Sequence, residues 1–238
     1  DESKIEIIDA SEVITCNDVP TDAIKTKKDS SLVKAVETLK SDEEVKALIS
    51  TGSTGAILAC GFLKIGRIKG VSRPALAAFI PTKKPNKMVL LLDCGANADC
   101  KPINFCHFAV MGSIYYKNVF GTKTPKVALL NIGTEETKGN ESAKAAFDAL
   151  KQMPINFVGN MEARDFMSGD YDVVVCDGFN GNILLKSTEG AISFAMKQVK
   201  SALTSNIFTK LAALVLKPKI NKMKKVLDYN KYGGSPFI

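Results

Sequence analysis

Four short stretches mix glycine with small polar residues: "STGSTGA" (50–56), "DCGAN" (93–97), "NIGTEETKGNE" (131–141) and "DGFNGN" (177–182). Glycine lets backbone N–H groups come close to a ligand, and a helix N-terminus carries roughly half a positive charge. Each stretch precedes a segment with helical character, so each is a candidate anion cradle. The residues that would line it are Gly52, Ser53, Thr54 and Gly55 in the first stretch, and Asp93, Gly95 and Asn97 in the second. The third contributes Asn131, Gly133, Gly139 and Asn140, and the fourth Asp177 and Gly178. Capping by Thr54 and a turn at Gly52 would also account for the first stretch with no ligand at all. It is neither a Walker A motif nor a G-x-G-x-x-G fingerprint.

Two side chains in these loops could act on a reacting group. Lys138 is the cation of the third loop, placed just before a helix start, where it could hold a phosphate or stabilise an oxyanion. It could equally pair with Glu135, Glu136 or Glu141 on a solvated turn, a contact worth at most about 1 kcal/mol. Asn182 closes the fourth loop, where its amide could donate to a carbonyl oxygen or cap the following helix. No G-x-S-x-G elbow is present, and the single histidine, His107, lies in an apolar helical stretch unsuited to a triad. A reaction here must bring its own nucleophile or work by positioning and electrostatics. Phosphate, ionised at neutral pH, meets that requirement.

The elements that must position these loops alternate strand, polar loop and helix. "KIEIIDASEVI", "VKALIS", "ALAAFI", "MVLLLD", "KVALLNI", "INFVGN" and "DVVVCD" read as strands, with "PTKKPNK" a turn between the third and fourth. Helices are predicted in "KTKKDSSLVKAVETLK", with Asp29 or Ser30 as cap and Leu32, Val33, Val36 and Leu39 as apolar stripe, over "AILACGFLKIG", through "FCHFAVMGSIYYKNVF", over "SAKAAFDALKQ" and over "ILLKSTEGAISFAMKQVKSAL". The strands are continuous apolar runs, as strands are when helices cover both faces of the sheet. A three-layer, mostly parallel α/β sheet is expected, with the four loops gathered beyond the carboxyl ends of its strands.

With 238 residues and 45% hydrophobic content, the chain can bury one large domain, residues 1–238, with an appended element at 204–227. The net charge of +7 points to an anionic partner, but 7% aromatic content without basic-aromatic interleaving argues against nucleic acid. No apolar run reaches the ~20 residues that span a bilayer, and no signal-peptide pattern is seen. The chain opens on "DESKIEIID" without methionine, so a preceding piece is expected to be missing. The six cysteines form no C-x-x-C pair and suit reduced thiols in the cytoplasm. Cys94, Cys100, Cys106 and His107 match no zinc-finger spacing, and neither metal nor cofactor is called for.

Residues 207–227 change character. Pro218 is expected to divide them into two short helices, the first with an apolar stripe of Ile207, Phe208, Leu211, Leu214 and Val215. Lys210, Lys217, Lys219, Lys222, Lys224 and Lys225 cluster on and beyond it. Such a basic amphipathic pair can lie on an anionic membrane or dock an acidic protein, with Ile207, Phe208, Lys210, Leu211, Leu214 and Lys217 as contacts. It can also pack on the domain or on a second subunit.

The motifs "KKDSSL", "STGSTGA", "GRIKGVSRPALAAFIPT", "LLLDCGANADCKP", "FAVMG", "NIGTEETKGNE", "NFVGNMEARD", "VVVCDGFNGN" and "YGGSPF", in this order, resemble those of the bacterial acyl-[acyl-carrier-protein]:phosphate acyltransferases of phospholipid synthesis. The resemblance covers essentially the whole chain. It implies an isocitrate/isopropylmalate-dehydrogenase-like fold and a homodimer. It also implies transfer of a fatty acyl group from acyl-carrier-protein to inorganic phosphate, with Lys138 and Asn182 at catalytically important positions. A cytoplasmic enzyme held peripherally at the inner face of the membrane is implied too, supplying a downstream glycerol-3-phosphate acyltransferase. Three departures are visible. The family's opening strand with its "AMGGD"-type loop is lacking, the family continues past "YGGSPF", and its usual "SAGNTGA" reads "STGSTGA", with Ser53 in place of a larger amide. A phosphotransacetylase-like enzyme acting on coenzyme A thioesters, or a non-catalytic membrane scaffold, are the competing readings.

Overall fold

The computed structural model describes residues 4–227 and 234–237. It divides into two compact units, within Asp1–Pro74 and Ala75–Phe237.

The first unit contains α1 (Pro20–Thr26), α2 (Ser31–Ser41) and α3 (Thr54–Cys60), the last running on into a π-helical turn over Gly61–Ile65. Its small core joins Ile24, Val33, Val36 and Cys60. The expected strands at its start and at "VKALIS" do not form among the described residues. Only an isolated bridge between Glu12 and Ser30 is present. Ile7 and Ile49 stand about nine-tenths exposed, at 89% and 93%. A strand needs a neighbour along its length to take up its backbone groups; the first segment meets one only at Glu12, and "VKALIS" meets none among the described residues.

The second unit is built on a six-stranded sheet in the order β4-β3-β5-β2-β1-β6. The strands are β1 (Ala75–Pro81), β2 (Met88–Leu92), β3 (Val127–Asn131), β4 (Phe157–Glu162), β5 (Val173–Val175) and β6 (Gly234–Phe237). β4, β3, β5 and β2 pair in parallel, whereas β1 is antiparallel to both β2 and β6. The antiparallel step follows from the short "TKKPNK" link, since a parallel crossover needs a dozen or more residues. Thr82 and Lys87 close that hairpin through a backbone bond of 3.0 Å, and Asn86 takes a positive φ of 57°.

All five residues of β2 are buried, as its unbroken apolar run foretells. One sheet face packs Leu90, Leu92, Leu129 and Val175 against Phe105, Phe108 and Tyr116 of α4 (Pro102–Phe120) and Phe147 and Leu150 of α5 (Glu141–Lys151). The other face packs Val89, Leu91, Ala128, Met161 and Val174 against Phe166 and Leu184, the last from the start of α6 (Gly178–Leu203). Gly112 lets α4 sit close on β5: a Cβ there would stand 2.6 Å from Val173 Cγ1.

The expectation at Pro218 is corrected. Ile207–Leu227 is one helix, α7, with Pro218 inside it. The proline forfeits one hydrogen bond, to Leu214, but strong helix formers on both sides carry the helix through. α7 contacts α6 across a short connection, and none of its residues is buried.

Candidate functional site

A cavity of ≈ 450 Å³ opens beyond the carboxyl ends of β3 and β5, at the starts of α5 and α6. Its apolar part is formed by Phe105, Leu129, Leu130, Ile183 and Leu184. The polar part draws on Asn131, Gly139, Asn140, Ser142, Asp177 and Asn180. The third and fourth loops therefore meet here, as the sequence anticipates for a parallel sheet.

Each polar group has a definite employment. The Asn131 side chain accepts from Ile132 N–H at 2.8 Å and donates to the Lys138 carbonyl at 3.1 Å, folding the third loop back on itself. Asn160 donates to the Glu135 carbonyl at 2.8 Å, pinning the same loop from β4. Gly139 has φ of 99°, and a Cβ there would meet Asn131 Oδ1 at 2.6 Å, so glycine is required on both counts. Asn140 caps α5 by accepting from Ala143 N–H at 2.8 Å. The amides of Glu141 and Ser142, in the first turn, have no intrahelical acceptor and find no other among the described residues.

At the other helix start, Asp177 accepts from both the backbone and side-chain nitrogens of Asn180 at 2.7 Å. The two caps thus differ in charge, although Glu141 places a carboxylate in the first turn of α5 and α6 has no acid in its first turn. α5 carries a neutral cap and α6 an anionic one.

The second loop supports this arrangement from beneath. Asp93 is fully buried, and its carboxylate accepts from the N–H groups of Leu76, Gly95, Ala96 and Asn97 and from the Asn97 side chain, at 2.7–3.1 Å. With every lone pair engaged it holds the loop in shape instead of meeting a ligand. Gly178 N–H donates to the Asn97 carbonyl at 2.6 Å, locking α6 to that loop. A Cβ on Gly178 would lie 2.7 Å from the same carbonyl oxygen, which makes this glycine a packing residue. Gly95, at φ 143°, lies beside Asn182.

Lys138 and Asn182 are both exposed, and each is the chain neighbour of a lining residue, Gly139 and Ile183. Lys138 forms no ion pair among the described residues, and Glu136 is engaged instead by Lys151 at 3.0 Å. The lysine side chain packs over Gly133, where a Cβ would approach its Cγ to 2.9 Å.

Gly52, Ser53, Thr54 and Gly55 belong to the first unit, and no strand leads into them. Ser53 stands at the N-cap of α3, with Thr54 the first helical residue. Gly55 has a packing role, since a Cβ there would meet Pro20 at 3.1 Å. The cavity of the second unit is built without these four residues.

Two thiols adjoin the site. Cys176 lines the cavity and donates to the Asp93 carbonyl at 3.2 Å, and burial, aided by the charges of Asp177 and Asp93, pushes it well up. Cys94 is pushed up to about 12, by burial first and the Asp93 charge second. Neither is a thiolate nucleophile at neutral pH.

Residues not singled out from the sequence also line the cavity, notably Asn180, Ile183, Leu184 and Ser187. Their spacing of three, four and seven along one helix was the available signal.

Fold and site together define an open α/β protein with an anion-competent cavity at the carboxyl edge of its sheet. The family model described as "Fatty acid synthesis protein" matches residues 1–238. The chain is 50% identical over 236 residues to a phosphate acyltransferase of Brevibacillus brevis, covering 99% of this chain and 70% of that one. A phosphate acyltransferase of Clostridium novyi is 51% identical over 235 residues, with 99% and 70% covered. The chain belongs to this phosphate acyltransferase family. A crystal structure of a phosphotransacetylase from Streptococcus pyogenes shares the fold, with a TM-score of 0.53 at 17% identity over 71% of this chain and 57% of that one.

Proposed function

We propose that the protein transfers a fatty acyl group from acyl-carrier-protein to inorganic phosphate, forming acyl phosphate for phospholipid synthesis. Family membership supports acyl transfer to phosphate. The observation that carries the assignment of roles is the unequal charge of the two capping side chains, Asn140 at α5 and Asp177 at α6. Phosphate belongs at α5, where the amides of Glu141 and Ser142 find no acceptor among the described residues, the cap is neutral and Lys138 precedes the first turn by three residues. Glu141 itself is exposed and does not line the cavity. The anionic Asp177 disfavours phosphate at α6 and leaves that end to the uncharged thioester.

In this reading a phosphate oxygen attacks the thioester carbonyl carbon, forming the new C–O bond. The carbonyl oxygen gains charge and receives a hydrogen bond from the Asn182 amide. Collapse breaks the C–S bond, and the carrier thiolate leaves to take a proton from solvent. Lys138 offsets the charge that gathers on phosphate as it approaches. Asp93, Gly95, Asn97, Asn131, Gly133, Gly139 and Gly178 shape the loops that hold these groups. The apolar part of the cavity, around Phe105, Leu129 and Ile183, receives the start of the acyl chain. That lining favours an acyl substrate over an adenine ring.

Incubating the chain with acyl-carrier-protein thioester and phosphate, then trapping with hydroxylamine, tests the assignment. A phosphate-dependent hydroxamate is expected from the carrier thioester and much less from the coenzyme A thioester. Absence of product would overturn the reading, and a preference for coenzyme A would establish the phosphotransacetylase-like alternative.

We also infer that the enzyme acts as a homodimer of isocitrate/isopropylmalate-dehydrogenase-like architecture, held against the inner face of the membrane. Among the described residues no helix is long and apolar enough to cross a membrane. α7, however, exposes Phe208 at 79% and Val215 at 81% beside lysines and without one acidic residue. Surface attachment would deliver acyl phosphate, a reactive anhydride, directly to a membrane-bound glycerol-3-phosphate acyltransferase.

A further inference from the structure

The amino edge of the same sheet carries a second cavity, of ≈ 710 Å³. α4 forms one wall and the segments leading into β3 and β4 form the other. β3 is five residues long, so about 16 Å of strand separates this cavity from the one at the carboxyl edge.

Three observations define what it would hold. Its floor is apolar, made by Val110, Ile114, Pro125 and Ile155. Lys117 and Lys123 line it and form no ion pair among the described residues, while no carboxylate lines it at all. The hydroxyl oxygen of Ser113, also in the lining, is buried without a hydrogen-bond partner. An unpaired buried hydroxyl carries a desolvation penalty that a ligand oxygen would relieve.

We propose that this cavity binds a long-chain acyl anion, an apolar chain ending in a carboxylate or phosphate group, at a place distinct from the reacting cavity. The chain covers the apolar floor, the two ammonium groups neutralise the head, and the Ser113 hydroxyl donates to one of its oxygens. Inorganic phosphate alone would gain only the charged contacts, and an uncharged chain only the apolar ones. The combination selects an amphiphile of the kind that acyl-transfer chemistry consumes or produces.

Calorimetry without turnover tests this, using dodecyl phosphate, dodecanoate and inorganic phosphate as probes. The Lys117→Glu/Lys123→Glu double variant alters only exposed side chains, so it is expected to fold and to retain hydroxamate-forming activity. Dodecyl phosphate or dodecanoate should bind the wild-type chain and the Lys138→Ala variant alike at this site, and at least tenfold more weakly to the double variant. Which of the two binds more tightly identifies the source as acyl phosphate or free fatty acid. Unchanged affinity in the double variant, or equal affinity for inorganic phosphate, overturns the proposal. So does a change in oligomeric state of the ligand-free double variant, which would make this face a contact between copies. Because binding is read directly, a failed activity assay leaves the test intact.

Discussion

Gly181 approaches Asp93 so closely that a Cβ on the glycine would stand 1.9 Å from the Asp93 carbonyl oxygen and 2.7 Å from Cys176 Sγ. The first turn of α6 can be seated on the second loop only because that side chain is missing. Gly181→Ala should therefore force α6 away from the loop and destabilise the unit by about 1–3 kcal/mol or more. Gly190, further along the same helix, has nothing within 4 Å of its Cβ position, so Gly190→Ala should stabilise by up to about 1 kcal/mol through helix propensity. Chemical denaturation of the two variants checks the contrast, and equal effects would discard the packing argument.

Lys138 is exposed and forms no ion pair among the described residues, so its removal should leave stability nearly unchanged. If it offsets charge on phosphate, Lys138→Ala should lower kcat by about 10²–10³-fold, the range for loss of one transition-state electrostatic contact. Hydroxamate formation beside a thermal melt separates the two effects. Full activity would assign Lys138 to the solvated surface.

Much of this arrangement was legible in the sequence. β2, β3 and β5 are unbroken apolar runs, and glycine-and-polar loops mark where parallel strands end. Less legible was the division of labour among the loop residues. Asp93 resembles a ligand in type and position, yet five donors converge on it, which only the folded loop reveals. The glycines of "DGFNGN" resemble an anion cradle but serve helix-to-loop packing. "VKALIS" has strand composition without a strand partner, and composition carries no information about partners. Pro218 shows the same gap from the other side, since exposure and strong neighbours let a helix outlast its proline.

Placing phosphate at α5 predicts a charge effect separable from capping. Aspartate caps as well as asparagine, so Asn140→Asp should retain the Ala143 hydrogen bond and the stability of α5. It would, however, set a negative charge beside the phosphate and raise KM for phosphate about tenfold. Asn140→Ala should instead cost about 1 kcal/mol of stability. An unchanged phosphate KM in Asn140→Asp would move the phosphate elsewhere.

The buried thiols predict a protection pattern. Burial holds Cys94 and Cys176 protonated, with Cys94 at about 12, whereas Cys16 is exposed. Only the thiolate alkylates, so iodoacetamide at pH 8 should label Cys16 while Cys94 and Cys176 react only after unfolding. Since a raised thiol pKa keeps these groups neutral through the physiological range, the activity profile between pH 6 and 9 should show no inflection from them. Peptide mapping of the alkylated protein checks the first statement, and rapid labelling of Cys176 would reopen a thiol mechanism.

The face of α7 allows its two driving forces to be separated. Ile207, Leu211, Leu214 and Val215 recur at helical spacing and are all more than half exposed, which leaves their burial to another phase or molecule. Lys210, Lys217, Lys219, Lys222, Lys224 and Lys225 add charge that an anionic bilayer attracts, by about 1 kcal/mol for each lysine near the surface at moderate salt. Sedimentation with vesicles containing anionic lipid should therefore recover the chain, and Leu211→Glu, which puts a carboxylate on the inserted face, should release it. Raising the salt weakens only the charged component, so the wild-type chain should be partly retained, while the variant should lose both components and bind nothing. If α7 instead packs on a second copy, Leu211→Glu would leave vesicle binding as it was and shift the protein toward monomer. Sedimentation and oligomeric state measured on the same variant thus decide between a membrane and a subunit as the cover for this helix.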